Sequence, residues 1–156
     1  MNTGIWYEII TNEILVISVS AWAVAQLLKV LLVLVQEKRL DLRYFVASGG
    51  MPSAHSAMVC ALATAVAMTQ GLSSVVFAIT AILAMLIMYD AAGVRQAVSR
   101  QSIILNRLVK EFRVKRPRGE VERDLREFIG HTPFQVIAGA TLGFLTAWLW
   151  LIISAM

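Results

Sequence analysis

The chain has 156 residues, 58% hydrophobic and 15% charged, with a mean hydropathy of +0.72. Ordinary soluble domains are about 45–50% apolar and about 25% charged, so the length predicts one domain, residues 1–156, and the composition excludes a soluble one. The net charge of +4 is unevenly placed, and its placement carries information.

Residues 1–13 hold Glu8 and Glu13 but no Lys or Arg, the wrong charge for the start of a signal peptide, so no cleavable signal is expected. Residues 14–35 form the first long apolar stretch. A spanning helix needs roughly 20 apolar residues, which this stretch supplies. "GGMPSAHSAM", residues 49–58, then places a glycine- and proline-bearing turn before Ser53, His55 and Ser56. Pro52 is expected to start a helix, with Ser53 and His55 in its first turn, where main-chain amides and the helix dipole favour an anion. The second and third apolar stretches, residues 54–69 and 75–89, are shorter. They are expected to be tilted, to extend into their flanks, or to lie partly inside the protein. "QGLSS", residues 70–74, reads as a tight turn between them. The lone cysteine, Cys60, sits in an apolar run and reads as a small core residue. Two amphipathic helices are expected between residues 95 and 130, one carrying Ile103, Ile104, Leu108 and Phe112, the other Val121, Leu125, Phe128 and Ile129. The fourth apolar stretch is residues 134–155. The expected fold is all-α: a membrane bundle of about four spans with two interfacial helices.

Charge orients this bundle. Lys38, Arg39 and Arg43 lie between the first two spans, and ten Lys and Arg, from Arg95 to Arg126, lie between the third and fourth. The turn at residues 70–74 and both termini have none. By the positive-inside rule both basic segments face the cytoplasm and both termini lie outside.

Several polar residues then need explaining. Lys29 follows Gln26 by three residues inside the first span, so the two share a face. An intramembrane charge costs about 2.5–3.5 kcal/mol on insertion scales and marks a functional site by default. The competing reading is a lysine snorkelling to the interface. Asp90 ends the third span with Arg95 five residues on, which suits a boundary ion pair. His131 opens the fourth stretch and would suit a polar cap. Taken together, however, Lys29, His55, Asp90, Arg95 and His131 all fall on the basic side of the membrane. Two histidines, a lysine, an arginine and helix N-terminal amides suit phosphate chemistry: cations and amides neutralise phosphoryl oxygens, one histidine attacks phosphorus and the other protonates the leaving oxygen. Neither a Cys/His zinc spacing nor a Walker loop competes.

"PSAH", residues 52–55, resembles the P-S-G-H motif of the type 2 phosphatidic acid phosphatase superfamily, which includes vanadium-dependent haloperoxidases. "HTPFQVIAGATLG", residues 131–143, resembles that superfamily's third motif, S-R-x5-H-x-P-x-D-V-x-A-G, at His131, Pro133, Val136, Ala138 and Gly139. With "YDAAGVRQ", residues 89–96, these segments look like the small divergent bacterial and plant branch, and the resemblance spans nearly the whole chain. It implies His131 as the nucleophile that forms a phosphohistidine. It implies His55 as the general acid for the leaving alcohol, and Ser53 with the backbone at Ala54 holding phosphate oxygens. No metal or other cofactor is implied.

The chain departs from that pattern in three places. Lys29 is followed seven residues later by Gln36 rather than by Arg-Pro. Leu125 stands where the third-motif arginine would be, and Gln135 replaces the aspartate that orients the nucleophile. Arg95 and Asp90 are expected to supply the missing arginine and carboxylate, Arg126 is a second arginine candidate, and Gln26, Ser56 and Gln135 are expected in support. The expected function is an integral membrane lipid phosphatase of the bacterial inner membrane with a cytoplasm-facing site. Phosphatidylglycerophosphate or phosphatidate is favoured as substrate over undecaprenyl pyrophosphate. The alternatives are a non-catalytic head-group binder or transporter using the same pocket, and a structural membrane protein without a ligand. The expected partners are the membrane and a lipid phosphate, not nucleic acid, and self-association is left open.

Overall fold

A computed structural model describes residues 3–38, 50–93, 101, 104–105 and 132–156. The described elements are five helices: α1 (Thr3–Thr11), α2 (Glu13–Glu37), α3 (Ala54–Gln70), α4 (Val75–Ala92) and α5 (Pro133–Ser154). Each of the four long helices starts on a residue whose side-chain oxygen accepts a main-chain N–H from the first turn. Asn12 caps α2, Ser53 α3, Ser74 α4 and Thr132 α5. These caps satisfy amides that would otherwise be orphaned. Between α3 and α4 the chain reverses at Gly71, whose φ of 84° lies in the region glycine favours.

α2, α4 and α5 are long and apolar enough to cross a bilayer. Of the four expected spans, three therefore reach that length, and α4 does so by continuing to Ala92. α3 has 17 residues, about 25 Å of helix. It sits inside the bundle and packs against α2, α4 and α5. Five of its seven buried positions are alanine or serine, namely Ala54, Ser56, Ala57, Ala61 and Ala65, and the other two are Val59 and Val66. The outer faces of α4 and α5 are instead large and apolar: Ile79, Leu86, Phe144 and Leu149 are exposed. Such a surface suits hydrocarbon, and the chain is an integral membrane protein. α1 was not anticipated from the sequence. Its exposed Trp6 and Tyr7 have the amphipathic character found at membrane–water boundaries.

α3 and α5 run parallel. Gly139 lies against the carbonyl of Ser53, Gly143 against that of Ala57, and Ala147 joins Ala61 and Ala65 in one buried cluster. Glycine at these places lets two backbones approach as no side chain would allow. α2 runs antiparallel to both. Its Ile17 and Ala21 pack with Ala61 and Ala65, and its Ala25 packs with Ala54 and Ala57.

Candidate functional site

Lys29 continues the inward stripe of α2 after Ile17, Ala21 and Ala25, at four-residue spacing. That spacing keeps a side chain on one face of a helix. Lys29 is only 3% exposed, so it does not snorkel to the surface. Its aliphatic stem runs beneath Gly50, where an added Cβ would lie 3.7 Å from Lys29 Cδ. Gly50 has φ +90°, a backbone conformation that explains glycine there.

The parallel pairing of α3 and α5 brings their N-termini side by side. Ser53 N–H donates to the main-chain carbonyl of Gln135 at 3.1 Å. Both helices therefore direct their positive ends to the same place, a ready-made setting for an anion. The same end holds Lys29, the N-terminal turn of α3 and the C-terminal turn of α4 with Asp90.

Within the first turn of α3 the side chains divide sharply. Ser53 and Ser56 are fully buried, and Ser56 Oγ donates to Ser53 Oγ at 3.0 Å. Ser53 Oγ also accepts from Ser56 N–H at 3.4 Å. The helix thus begins at Ala54, with Ser53 as its cap and Pro52 before it, rather than on Pro52 as expected. His55 is exposed, while residues 52–54 and 56–57 are buried. Ala54 is buried behind it. At α4, Asp90 is exposed near the helix end. Arg95, Arg126 and His131 lie outside the described residues, as do the expected amphipathic helices apart from Gln101, Ile104 and Leu105.

Thr132, the residue after His131, caps α5 in a reciprocal box. Gln135 N–H donates to Thr132 Oγ1 at 3.3 Å, and Thr132 N–H donates to Gln135 Oε1 at 3.0 Å. Gln135 therefore turns its carbonyl oxygen back to its own helix start. The Thr-x-x-Gln spacing is a legible signal for this box. Thr132→Ala is expected to cost about 1 kcal/mol in detergent unfolding, the usual value of a lost N-cap, with Thr132→Ser close to wild type. Equal stability of the alanine and serine variants would deny the cap.

The sequence reading missed the small-residue stripe. "GATLG", residues 139–143, has the G-x-x-x-G spacing of close-packed membrane helices, and Ala147 extends it. A concavity of about 340 Å³ among Ala63, Thr64, Met68, Phe77, Phe144 and Trp148 is almost wholly apolar. It lies toward the other end of α3 and is not the polar site. Among the described residues no cluster of His, Cys, Asp and Glu could hold a metal ion.

The sequence matches the divergent PAP2 family over residues 10–146, which takes in α2, α3 and α4 whole and the N-terminal part of α5. The chain belongs to the divergent PAP2 family. It is also 38% identical over 147 residues to the uncharacterized membrane protein YuiD of Bacillus subtilis (strain 168), covering 88% of this chain and 93% of that one. No solved structure matches the chain. Within this divergent PAP2 protein the resemblance of "PSAH" falls on the capped start of α3. That of "HTPFQVIAG" falls on the start of α5, and the two starts are joined by the bond between Ser53 and Gln135.

Proposed function

We propose that the protein is a membrane lipid phosphatase. It hydrolyses a phosphomonoester, or a pyrophosphate, carried on a lipid. The observation that carries this reading is the docking of two parallel helix N-termini at the end of the bundle where Lys29 is buried. The phosphate rests at the paired N-termini and takes its counter-charge from Lys29, with Arg95 and Arg126 as further cations. His131 attacks phosphorus: a nitrogen–phosphorus bond forms as the phosphorus–oxygen bond to the alcohol breaks, and His55 gives its proton to the departing oxygen. Water then attacks the phosphohistidine, with His55 taking the proton. Inorganic phosphate leaves, and His131 is restored. Asp90 serves as the acceptor that orients His131. No step calls for a metal ion.

Sidedness selects the lipid. By the positive-inside rule the basic segments favour a site at the cytoplasmic face of the bacterial inner membrane, which suits phosphatidylglycerophosphate or phosphatidate better than undecaprenyl pyrophosphate. A second reading, a head-group binder without turnover, is favoured by one observation. Gln135 holds the place of the superfamily's orienting aspartate, yet its Oε1 is engaged in the helix cap.

Phosphate release from these three lipids by the purified protein, with and without chelator, tests the proposal. The expected result is release from a glycerolipid monoester, unchanged by chelator. Saturable lipid binding without release would establish the binder instead. Chelator-sensitive release would overturn the metal-independent mechanism.

A further inference from the structure

Membrane interiors offer no water to unsatisfied polar groups, so each buried polar atom needs a protein partner. The described residues obey this with one exception. Ser18 Oγ donates to the Ile14 carbonyl at 2.7 Å, and Thr80 Oγ1 to that of Val76 at 3.0 Å. Ser53 and Ser56 bond each other. Gln26 is 4% exposed, and its Oε1 has no hydrogen-bond partner among the described residues. Leaving such an acceptor buried and unmade costs about 1–3 kcal/mol, whereas a leucine would fit an apolar helix without that cost. A group that is costly to the fold and sits beside a buried lysine is a functional candidate.

Its chemistry narrows the ligand. Phosphate oxygens are acceptors, and Lys29 with the helix N-termini already supplies donors for them. The Gln26 carbonyl calls for a donor. Gln26 is three residues nearer the membrane centre than Lys29, about 4.5 Å along the axis. In a lipid phosphate, the alcohol carrying the phosphate lies on the bilayer side of it. A hydroxyl on that alcohol falls at the depth of Gln26. Because a hydroxyl both donates and accepts, it satisfies either end of the amide.

We infer that Gln26 reads a free hydroxyl beside the scissile phosphate, which assigns the substrate class as a lipid whose terminal phosphate sits on a hydroxyl-bearing glycerol. This inference rests on the lipid phosphatase reading above. It separates phosphatidylglycerophosphate, which has that hydroxyl, from phosphatidate, which lacks it.

The test compares wild type with Gln26→Leu in nanodiscs, using dioleoyl forms of both lipids. Affinity for each lipid, kcat/KM for each, and the ligand-free Tm are measured. The wild type should favour the hydroxylated lipid, and Gln26→Leu should reduce that preference about tenfold or more, the scale of one buried hydrogen bond. The ligand-free Tm should hold or rise, because an unmade acceptor has been removed. An unchanged preference ratio would overturn the inference, and so would a Tm loss that accounts for the effect. If the wild type turns over neither lipid yet binds the hydroxylated one preferentially through Gln26, the hydroxyl reading stands and the catalytic one falls. If neither lipid binds, both fall.

Discussion

Gly143→Ala should part the two central helices. A methyl group built at Gly143 collides with the carbonyl oxygen of Ala57 and lies 2.8 Å from its carbonyl carbon and 2.9 Å from its Cα. These are main-chain atoms of a buried helix, so no side chain can rotate away. The backbones must separate, and the Ala–Ala contacts around Ala61 and Ala147 loosen with them. Forcing extra methyl groups into a packed core costs about 1–3 kcal/mol, and Gly143→Leu should exceed that range. Thr141→Ala, on the exposed side of the same helix, serves as the control and should stay within about 0.5 kcal/mol. Reversible unfolding in mixed micelles measures all three. A Gly143→Ala protein as stable as wild type would refute the close parallel pairing, and with it the joined N-termini on which the proposed site depends.

Loss of the nucleophile should be larger still in activity. His131→Ala should remove the covalent intermediate and reduce turnover by roughly 10⁴-fold or more, the scale seen when a catalytic nucleophile is deleted. Rapid quenching with radiolabelled lipid phosphate reads the intermediate directly. His55→Ala should behave differently. General acid catalysis contributes about 10²–10⁴-fold and matters most when the departing oxygen is basic. Alkyl phosphates should therefore suffer far more than a nitrophenyl phosphate, whose leaving group needs little help. The exposed position of His55 on the first turn of α3 makes it available for that proton transfer. Equal losses on both leaving groups, with chemistry limiting the rate, would remove His55 from the acid role. A phosphoenzyme persisting in His131→Ala would move the nucleophile elsewhere.

How far these features were visible in the sequence depended on the range of the forces involved. Helix extents were legible because burial in lipid is a local demand on composition. Residues 14–35 became Glu13–Glu37, and residues 134–155 became Pro133–Ser154. The caps at Ser53 and Thr132 are local as well, set by an oxygen three residues before the amide that it accepts. The direction of Lys29 was left open between a site residue and a snorkelling one, and burial of Ile17, Ala21 and Ala25 at the same spacing decides it. The pairing of α3 with α5 was not read. It joins segments 86 residues apart, Ser53 to Gly139 and Ala57 to Gly143. Only the small-residue spacing hinted at it, and Gly139 was read there as part of a catalytic resemblance rather than as a packing surface. The unpartnered oxygen of Gln26 was invisible for a related reason. Polarity shows in a sequence, but satisfaction depends on what the fold places opposite.

A stripe that repeats every four residues could in principle fit its partner again after sliding by one turn. The α5 stripe prevents this by where it stops. Reading along it, Gln135 precedes Gly139, Gly143 and Ala147, and Leu151 follows. Sliding one way would press Gln135 onto the Ser53 carbonyl, where the structure leaves no room for even a methyl group. Sliding the other way would drive Leu151 into the space now filled by Ala147 between Ala61 and Ala65. Two bulky residues thus act as end-stops on a track of three small ones. The alignment of the charged end is set by side-chain volume at Gln135 and Leu151, the latter about 28 Å along the helix from Thr132 by residue count. A conservative-looking exchange at Leu151, far from any phosphate, could loosen the register of the site by releasing a stop.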